Sequence, residues 1–270
     1  MVGRAIKQYS FVILLMLGLL TPAARADTYT LIVQPILPAS QTAEAYAPLI
    51  KYLSKHTGQT FQLATSPNFL AYWQEIKNIN REQFSFVLDG AHLTDYKIKK
   101  LNYRPLAKVL DVVSHSLVTG PEVLVFEASE LVGKPVASLA SPSRGALVID
   151  QLFNHPIRQP ILVEVTNAQE AIRKTLKGEV SGAIVPSPMV GGFPQLNVVS
   201  TTDQWPHVAL SAARSVPPEV SQKVTDALLN ASNTPDGQAM LSELNFPGFE
   251  KATPEIYDGY ADTLKSVWGY

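Results

Sequence analysis

Residues Val136–Asp150 read VASLASPSRGALVID. An apolar run from Val136 to Ala140 breaks into Ser141-Pro142-Ser143-Arg144-Gly145, and apolar residues resume at Ala146-Leu147-Val148-Ile149. That order predicts a strand, a short polar turn and a new helix, with Ser141 or Ser143 as the cap and Pro142 suited to the first turn. The first backbone N–H groups of a helix have no partner within it and carry partial positive charge. Two hydroxyls and a guanidinium beside them make an anion cradle. The same residues also fit an ordinary capped helix start with a surface arginine. The rest of the chain has to separate the two.

Downstream, Leu162–Val165 is predicted as a strand and Asn167–Lys177 as a helix, with Asn167 in the cap position. Gly182–Val185 is a buried-type run closed by Pro186-Ser187-Pro188, and Leu196–Ser200 adds a strand. Upstream, Arg104–Val113 and Glu122–Phe126 read as strands on either side of a break at Thr119-Gly120-Pro121. Before them, strands at Tyr29–Val33, Thr60–Ala64 and Phe84–Leu88 alternate with helical patterns at 43–56, 66–78 and 91–100. Such βαβαβα alternation with short links predicts a parallel sheet covered on both faces. Val208–Ala213 reads as a returning strand, and Pro217-Pro218-Glu219 opens an amphipathic helix with Val220, Val224, Leu228 and Leu229 inward. A chain that crosses out near 115 and back near 205 predicts two α/β lobes joined by two crossover strands. The first lobe comprises 27–114 plus 205–270, and the second 115–204. A cleft between such lobes gathers helix starts and strand ends and is the expected ligand site.

Residues 1–26 are read as an export leader. Arg4 and Lys7 precede the apolar core Phe11–Leu20, and Ala24-Arg25-Ala26 is a small-x-small cleavage site, so the exported chain is expected to start at Asp27. Arg4, Lys7 and Arg25 leave with the leader, which turns 22 basic and 23 acidic side chains into 19 and 23 over the remaining 244 residues. A mildly acidic exported protein without a basic run is a poor nucleic-acid binder. With no cysteine, neither disulfides nor thiolate chemistry is available. The five histidines, at 56, 92, 115, 155 and 207, show no metal-ligand pairing, and there is no GxSxG, GxxxxGK[ST] or GxGxxG. No metal, no cofactor and no enzymatic activity are expected.

Cleft-type features remain. Ser141, Ser143, Arg144 and Gly145 form the first. Asp89, Gly90 and His92, in a strand end running into a helix start, form the second, and a capped turn is its plainer reading. Phe69 opens the third, a helix start with Tyr72 and Trp73 that fits either a ligand wall or packing against the sheet. Asn167 is the fourth, with helix capping as the alternative role. His207, after Trp205-Pro206 in the return crossover, lies where a cleft would be.

Taken together, the opening strand with Pro35, Ala47-Pro48-Leu49, the Ser66–Ile76 helix start, Asp89-Gly90-Ala91 and Ser141–Gly145 resemble one family. Asn167–Ile184, Thr234-Pro235-Asp236-Gly237, Phe246…Gly248-Phe249 and Tyr257 extend the match over most of the exported chain. It is the phosphate/phosphite/phosphonate-binding proteins of ABC importers, which have the type 2 periplasmic binding-protein fold. The resemblance implies a monomeric periplasmic protein that closes two lobes on an oxyanion and delivers it to a membrane permease. It also implies that Ser141, Ser143 and the backbone through Gly145 hold the anion. The chain departs from the family pattern at Phe69, where a tyrosine is usual, and at Asn167, where a histidine is usual. Pro142 stands in place of the central threonine of the loop, and Ser181 in place of an aspartate. Asp89 adds a carboxylate that would repel an anion unless protonated or paired, with Arg144 as the candidate partner. These losses leave open an apolar or lipid-like ligand, a role as the sensing subunit of a membrane receptor and, more remotely, a periplasmic hydrolase.

Overall fold

The computed structural model describes residues 27–77, 83–153, 155, 157–267 and 270, so the expected leader and Asn78, the expected last residue of the second helix, lie outside it. The chain runs β1 (Thr28–Val33), α1 (Ala39–Thr57), β2 (Thr60–Ala64), α2 (Phe69–Ile76), β3 (Phe86–Asp89), α3 (Ala91–Leu101) and β4 (Arg104–Val109). It continues through β5 (Val112–Val113), β6 (His115–Thr119), β7 (Pro135–Leu139), α4 (Arg144–Leu152), β8 (Ile161–Val165), α5 (Ala168–Leu176), β9 (Gly182–Pro186) and α6 (Ser187–Val190). β10 (Asn197–Thr201), β11 (Trp205–Pro206), β12 (Ala209–Ala212), α7 (Pro218–Leu229), α8 (Pro235–Leu244) and β13 (Phe249–Lys251) complete it.

β1 pairs in parallel with β2 and β3, as the βα alternation predicts. The sheet does not stay parallel. β12 enters antiparallel between β3 and β4, and β13 adds antiparallel to β4, giving the order β13-β4-β12-β3-β1-β2. A strand that returns from a second lobe arrives from the opposite end, so it can only pair in the reverse sense. Around this sheet a large apolar cluster forms, with Leu31, Leu49, Leu53, Tyr72, Trp73, Phe86 and Leu228 among its buried members. Each such fully buried large side chain contributes about 1.5–3 kcal/mol of transfer free energy.

The second sheet runs in order β10-β6-β9-β7-β8, and its central strands β6, β9 and β7 are buried on both faces. Successive residues of a strand point to opposite faces. Accordingly Val136, Leu117 and Ile184 join Val148, Ile149 and Phe153 on the α4 side, while Ala137, Val118, Ala183 and Val185 join Ala171 and Ile172 on the α5 side. This two-sided burial is why these strands read as continuous apolar runs.

β5 and β11 pair antiparallel, Trp205 opposite Val113, and form the two crossover strands between the sheets. The strand expected over 104–113 is therefore two. It breaks at Asp111, which holds a positive φ of 96° and accepts a hydrogen bond from Val112 N at 2.7 Å through Oδ1. Glu122–Phe126, expected as a strand, is irregular; His115–Thr119 is the strand instead. After Gly120-Pro121 the chain curls back, Thr119 Oγ1 donating to Val123 O at 2.8 Å, and Leu124 and Phe126 are left 75% and 85% exposed. Apolarity alone pointed to the wrong segment; the sheet takes the run that can be paired on both sides.

Candidate functional site

The two sheets meet where α3 and α4 begin. Ser143 caps α4, its Oγ accepting from Ala146 N at 3.2 Å and donating to Leu139 O at 2.9 Å. Pro142 precedes this cap instead of occupying the first turn. The hydroxyl of Ser143 is thus engaged in building the helix start. Leu147, on α4, packs into the apolar cluster of the first sheet, which draws the helix onto that sheet.

Across the junction, His92 Nε2 lies 3.0 Å from the Pro142 carbonyl. A carbonyl can only accept, so Nε2 carries the proton and Nδ1 presents a lone pair. That Nδ1 is buried with no hydrogen-bond partner, and the ring is 2% exposed. Burial pulls the His92 pKa down to about 3, with the charges of Arg144 and Lys97 acting in the same direction against the bond to Pro142. His115, at the start of β6, is likewise held at about 3, by burial and then by Arg144. Both imidazoles are neutral at ordinary pH.

Arg144 stacks its guanidinium over the Trp205 indole, 3.5 Å from the ring centre, and donates Nη1 to Gln151 Oε1 at 3.0 Å. Trp205 in turn meets Tyr260 edge-on at 4.8 Å. Among the described residues no carboxylate lies within ion-pair distance of Arg144. Burial lowers its pKa to about 10, and Asp203 offsets only part of that. The junction therefore holds a buried, charged guanidinium with no carboxylate in contact, flanked by two neutral imidazoles. Such a cation is costly unless something anionic accompanies it.

The carboxylate suspected of opposing an anion does not face Arg144. Asp89, fully buried at the end of β3, is ion-paired with Lys97 of α3 and accepts from the Tyr72 hydroxyl. Lys97 Nζ also lies 3.3 Å from Tyr72 Oη and 5.1 Å from the centre of its ring. The negative charge of Asp89 is thereby answered inside the first lobe. One residue on, Gly90 N donates to Gln34 Oε1 at 3.0 Å, fixing the entry into α3.

The structure brings Gly90, His92, Ser143, Arg144 and Gly145 together and leaves the other candidates apart. Phe69 packs edge-on against Tyr72 in the core of the first sheet. Ser141 is exposed. Asn167 caps α5, its Oδ1 accepting from Glu170 N at 2.8 Å and its Nδ2 donating to Thr166 Oγ1 at 3.1 Å. His207 accepts from its neighbour Val208 N at 2.8 Å and meets Phe246, away from Arg144. Trp205, His115 and Lys97 are not among the sequence candidates, and Tyr72 is there only as part of the Phe69 helix start. Trp205-Pro206 in the crossover was the one signal available, and Lys97 within YKIKK resembles a solvated helix face.

Gly145 sits close against β7: a Cβ there would stand 2.5 Å from the fully buried Ser138 Oγ. Gly145→Ala is expected to push α4 from the sheet and lower stability by roughly 1–3 kcal/mol, as overpacking does. Urea denaturation would check this, and an unchanged midpoint would mean the contact is not tight.

An open groove of about 460 Å³ lies elsewhere, between α1 and α8, with Tyr52, Lys55, Asp236 and Met240 in its walls. Asp236 there is ion-paired with Lys55 at 2.8 Å and His56 at 2.7 Å. It is remote from the junction and holds none of its buried groups. Among the described residues no three His, Asp or Glu side chains are placed to hold a metal ion, and no helix is long and apolar enough to cross a membrane.

Residues 31–257 match the family described as ABC transporter, phosphonate, periplasmic substrate-binding protein. No curated protein sequence matches the chain. Solved structures with the same fold include PhnD1 from Prochlorococcus marinus in complex with methylphosphonate, at 11% identity and a TM-score of 0.74, covering 88% of this chain and 97% of that one. A binding-protein component of an ABC phosphonate transporter from Pseudomonas aeruginosa has 11% identity and a TM-score of 0.74 over 86% and 83%. A Xanthomonas citri protein bound to ATP has 14% identity and a TM-score of 0.71 over 89% and 99%. The chain belongs to the phosphonate periplasmic substrate-binding family of ABC transporters and has the two-lobe periplasmic binding-protein fold.

Proposed function

We propose that this member of the phosphonate substrate-binding family closes its lobes, 27–114 with 205–270 against 115–204, on a small phosphonate-class oxyanion. It then hands the anion to the permease of an ABC importer. The chain acts as a monomer in the periplasm after its leader is cut behind Ala26, and it carries out no chemistry on its cargo. The observation that supports this reading is Arg144, a buried guanidinium with no carboxylate partner at the meeting of two helix starts. An oxyanion there would gain charge-assisted hydrogen bonds and the partial charges of α3 and α4. The pairing of Asp89 with Lys97 removes the repulsion that an acidic residue beside the cleft would otherwise cause. Closure by hinge motion brings His92 onto Pro142, and only a closed form joins both helix starts around one ligand.

Titration calorimetry of Asp27–Tyr270 against phosphate, phosphite, methylphosphonate and aminoethylphosphonate tests the reading. Arg144→Ala should weaken the tightest of them more than tenfold, the loss of one charge-assisted contact of about 1.5–3 kcal/mol. An unchanged affinity would remove Arg144 from the site. One observation favours a second reading: Pro142 lacks a hydroxyl and an N–H, and Ser143 Oγ is committed to its cap, so few free donors face an oxyanion. Saturable binding of a lipid or sterol in place of every oxyanion would favour an apolar cargo or a sensing role.

A further inference from the structure

We propose that His92 Nδ1 selects the singly protonated form of the bound oxyanion, so that the closed complex holds one proton between that nitrogen and a ligand oxygen while Arg144 takes the unprotonated oxygens. This inference rests on the oxyanion reading above and goes further, to the protonation state of the cargo.

The argument starts from the ring's tautomer. Nε2 must donate to the Pro142 carbonyl, which commits the only proton of the neutral imidazole and leaves Nδ1 as an acceptor. That acceptor is buried, unpartnered and close to the start of α3: a Cβ built on Gly90 would lie 3.6 Å from it. A fully deprotonated oxyanion would set an oxygen lone pair against a nitrogen lone pair in a site shielded from water. A ligand with one P–OH group supplies the missing donor instead. If the proton passes to Nδ1, the imidazolium donates back to the anion; in either arrangement one proton is shared and none is lost.

The groups that face His92 fit this reading. From the second lobe come Arg144 and His115, from its own helix Lys97, and beside it stands Trp205 with Tyr260 edge-on against that ring. Lys97 is neutralised by Asp89 and His115 is itself neutral, so Arg144 is the cation of this group with no carboxylate in contact, Asp203 acting on it only from a distance. One positive charge and one acceptor match a monoanion that carries a donor. Burial keeps His92 uncharged well below neutral pH, so the acceptor persists through the working range.

Methylphosphonate and methanesulfonate provide the test. They are similar in shape, but only the first keeps an ionisable O–H. Calorimetry between pH 6 and 9 should show methylphosphonate binding at least tenfold more tightly than methanesulfonate at the lower end. Its affinity should fall by about tenfold per pH unit above its second ionisation, while methanesulfonate changes little. Equal affinities, or methylphosphonate tightening as pH rises, would overturn the inference. His92→Phe should erase the preference between the two ions; a retained preference would also overturn it, and the wild-type comparison stands even if that variant fails to fold. If neither ion binds, the oxyanion reading itself falls, and this inference with it.

Discussion

Replacing Lys97 by methionine is expected to destabilise the protein by about 3–5 kcal/mol, the usual cost of removing one partner from a buried ion pair. Asp89 and Lys97 are both essentially without solvent contact, so neither charge can fall back on water. Tyr72 would remain as a donor to Asp89, and the carboxylate could take up a proton, so the loss stays well below the cost of a bare buried ion. For a chain of this size the thermal midpoint should fall by roughly 10 °C or more. Pairing the change with Asp89→Asn removes the orphaned charge and should recover much of the loss. A single variant that loses less than about 1 kcal/mol in urea denaturation would show that Lys97 does not carry the pair. The consequence reaches the site, because Asp89 stands one residue before Gly90 and three before His92. An unpaired Asp89 would also restore the negative charge that weakens an anion at the start of α3.

Acidification from pH 6.5 to pH 4 should be the second large effect. His92 is held near 3 in the folded protein against about 6.5 in an unfolded chain, and His115 is held similarly. Between those values the unfolded chain binds protons that the native protein refuses, so falling pH favours unfolding. The stability these neutral rings protect is complete above about pH 6.5 and drains away as pH falls toward 3, at about 1.4 kcal/mol per pH unit for each ring. By pH 4 the loss is on the order of 3 kcal/mol for His92 alone. Asp236, held low by Lys55 and His56, adds a loss in the same direction only below about pH 4, and at the surface solvent screens it. Urea denaturation at pH 7, 5.5 and 4 would measure the slope, and His92→Phe should flatten it. A stability that is level from pH 6.5 to 4 would show that the rings charge freely in the folded state.

Short-range physics can be read along the chain. The alternation of β1, α1, β2, α2, β3 and α3 is written in apolar periodicity, and the caps at Ser143 and Asn167 are written in side chains that reach a backbone N–H three residues on. The crossings near 115 and 205 were legible because apolar strand runs resumed on either side of polar breaks. Tertiary structure decided the rest. Glu122–Phe126 is as apolar as a strand, yet only His115–Thr119 finds partners on both sides, in β9 and β10. The sense of β12 and β13 follows from where the chain comes back, which no local pattern records. Asp89 takes Lys97 as its partner because both are driven into the same desolvated space under Tyr72, while Arg144 is drawn to the face of Trp205 some sixty residues away. Periodicity and capping act within a few residues of chain, whereas the partner of a buried charge is set by what the packed core brings beside it and by how completely water is excluded.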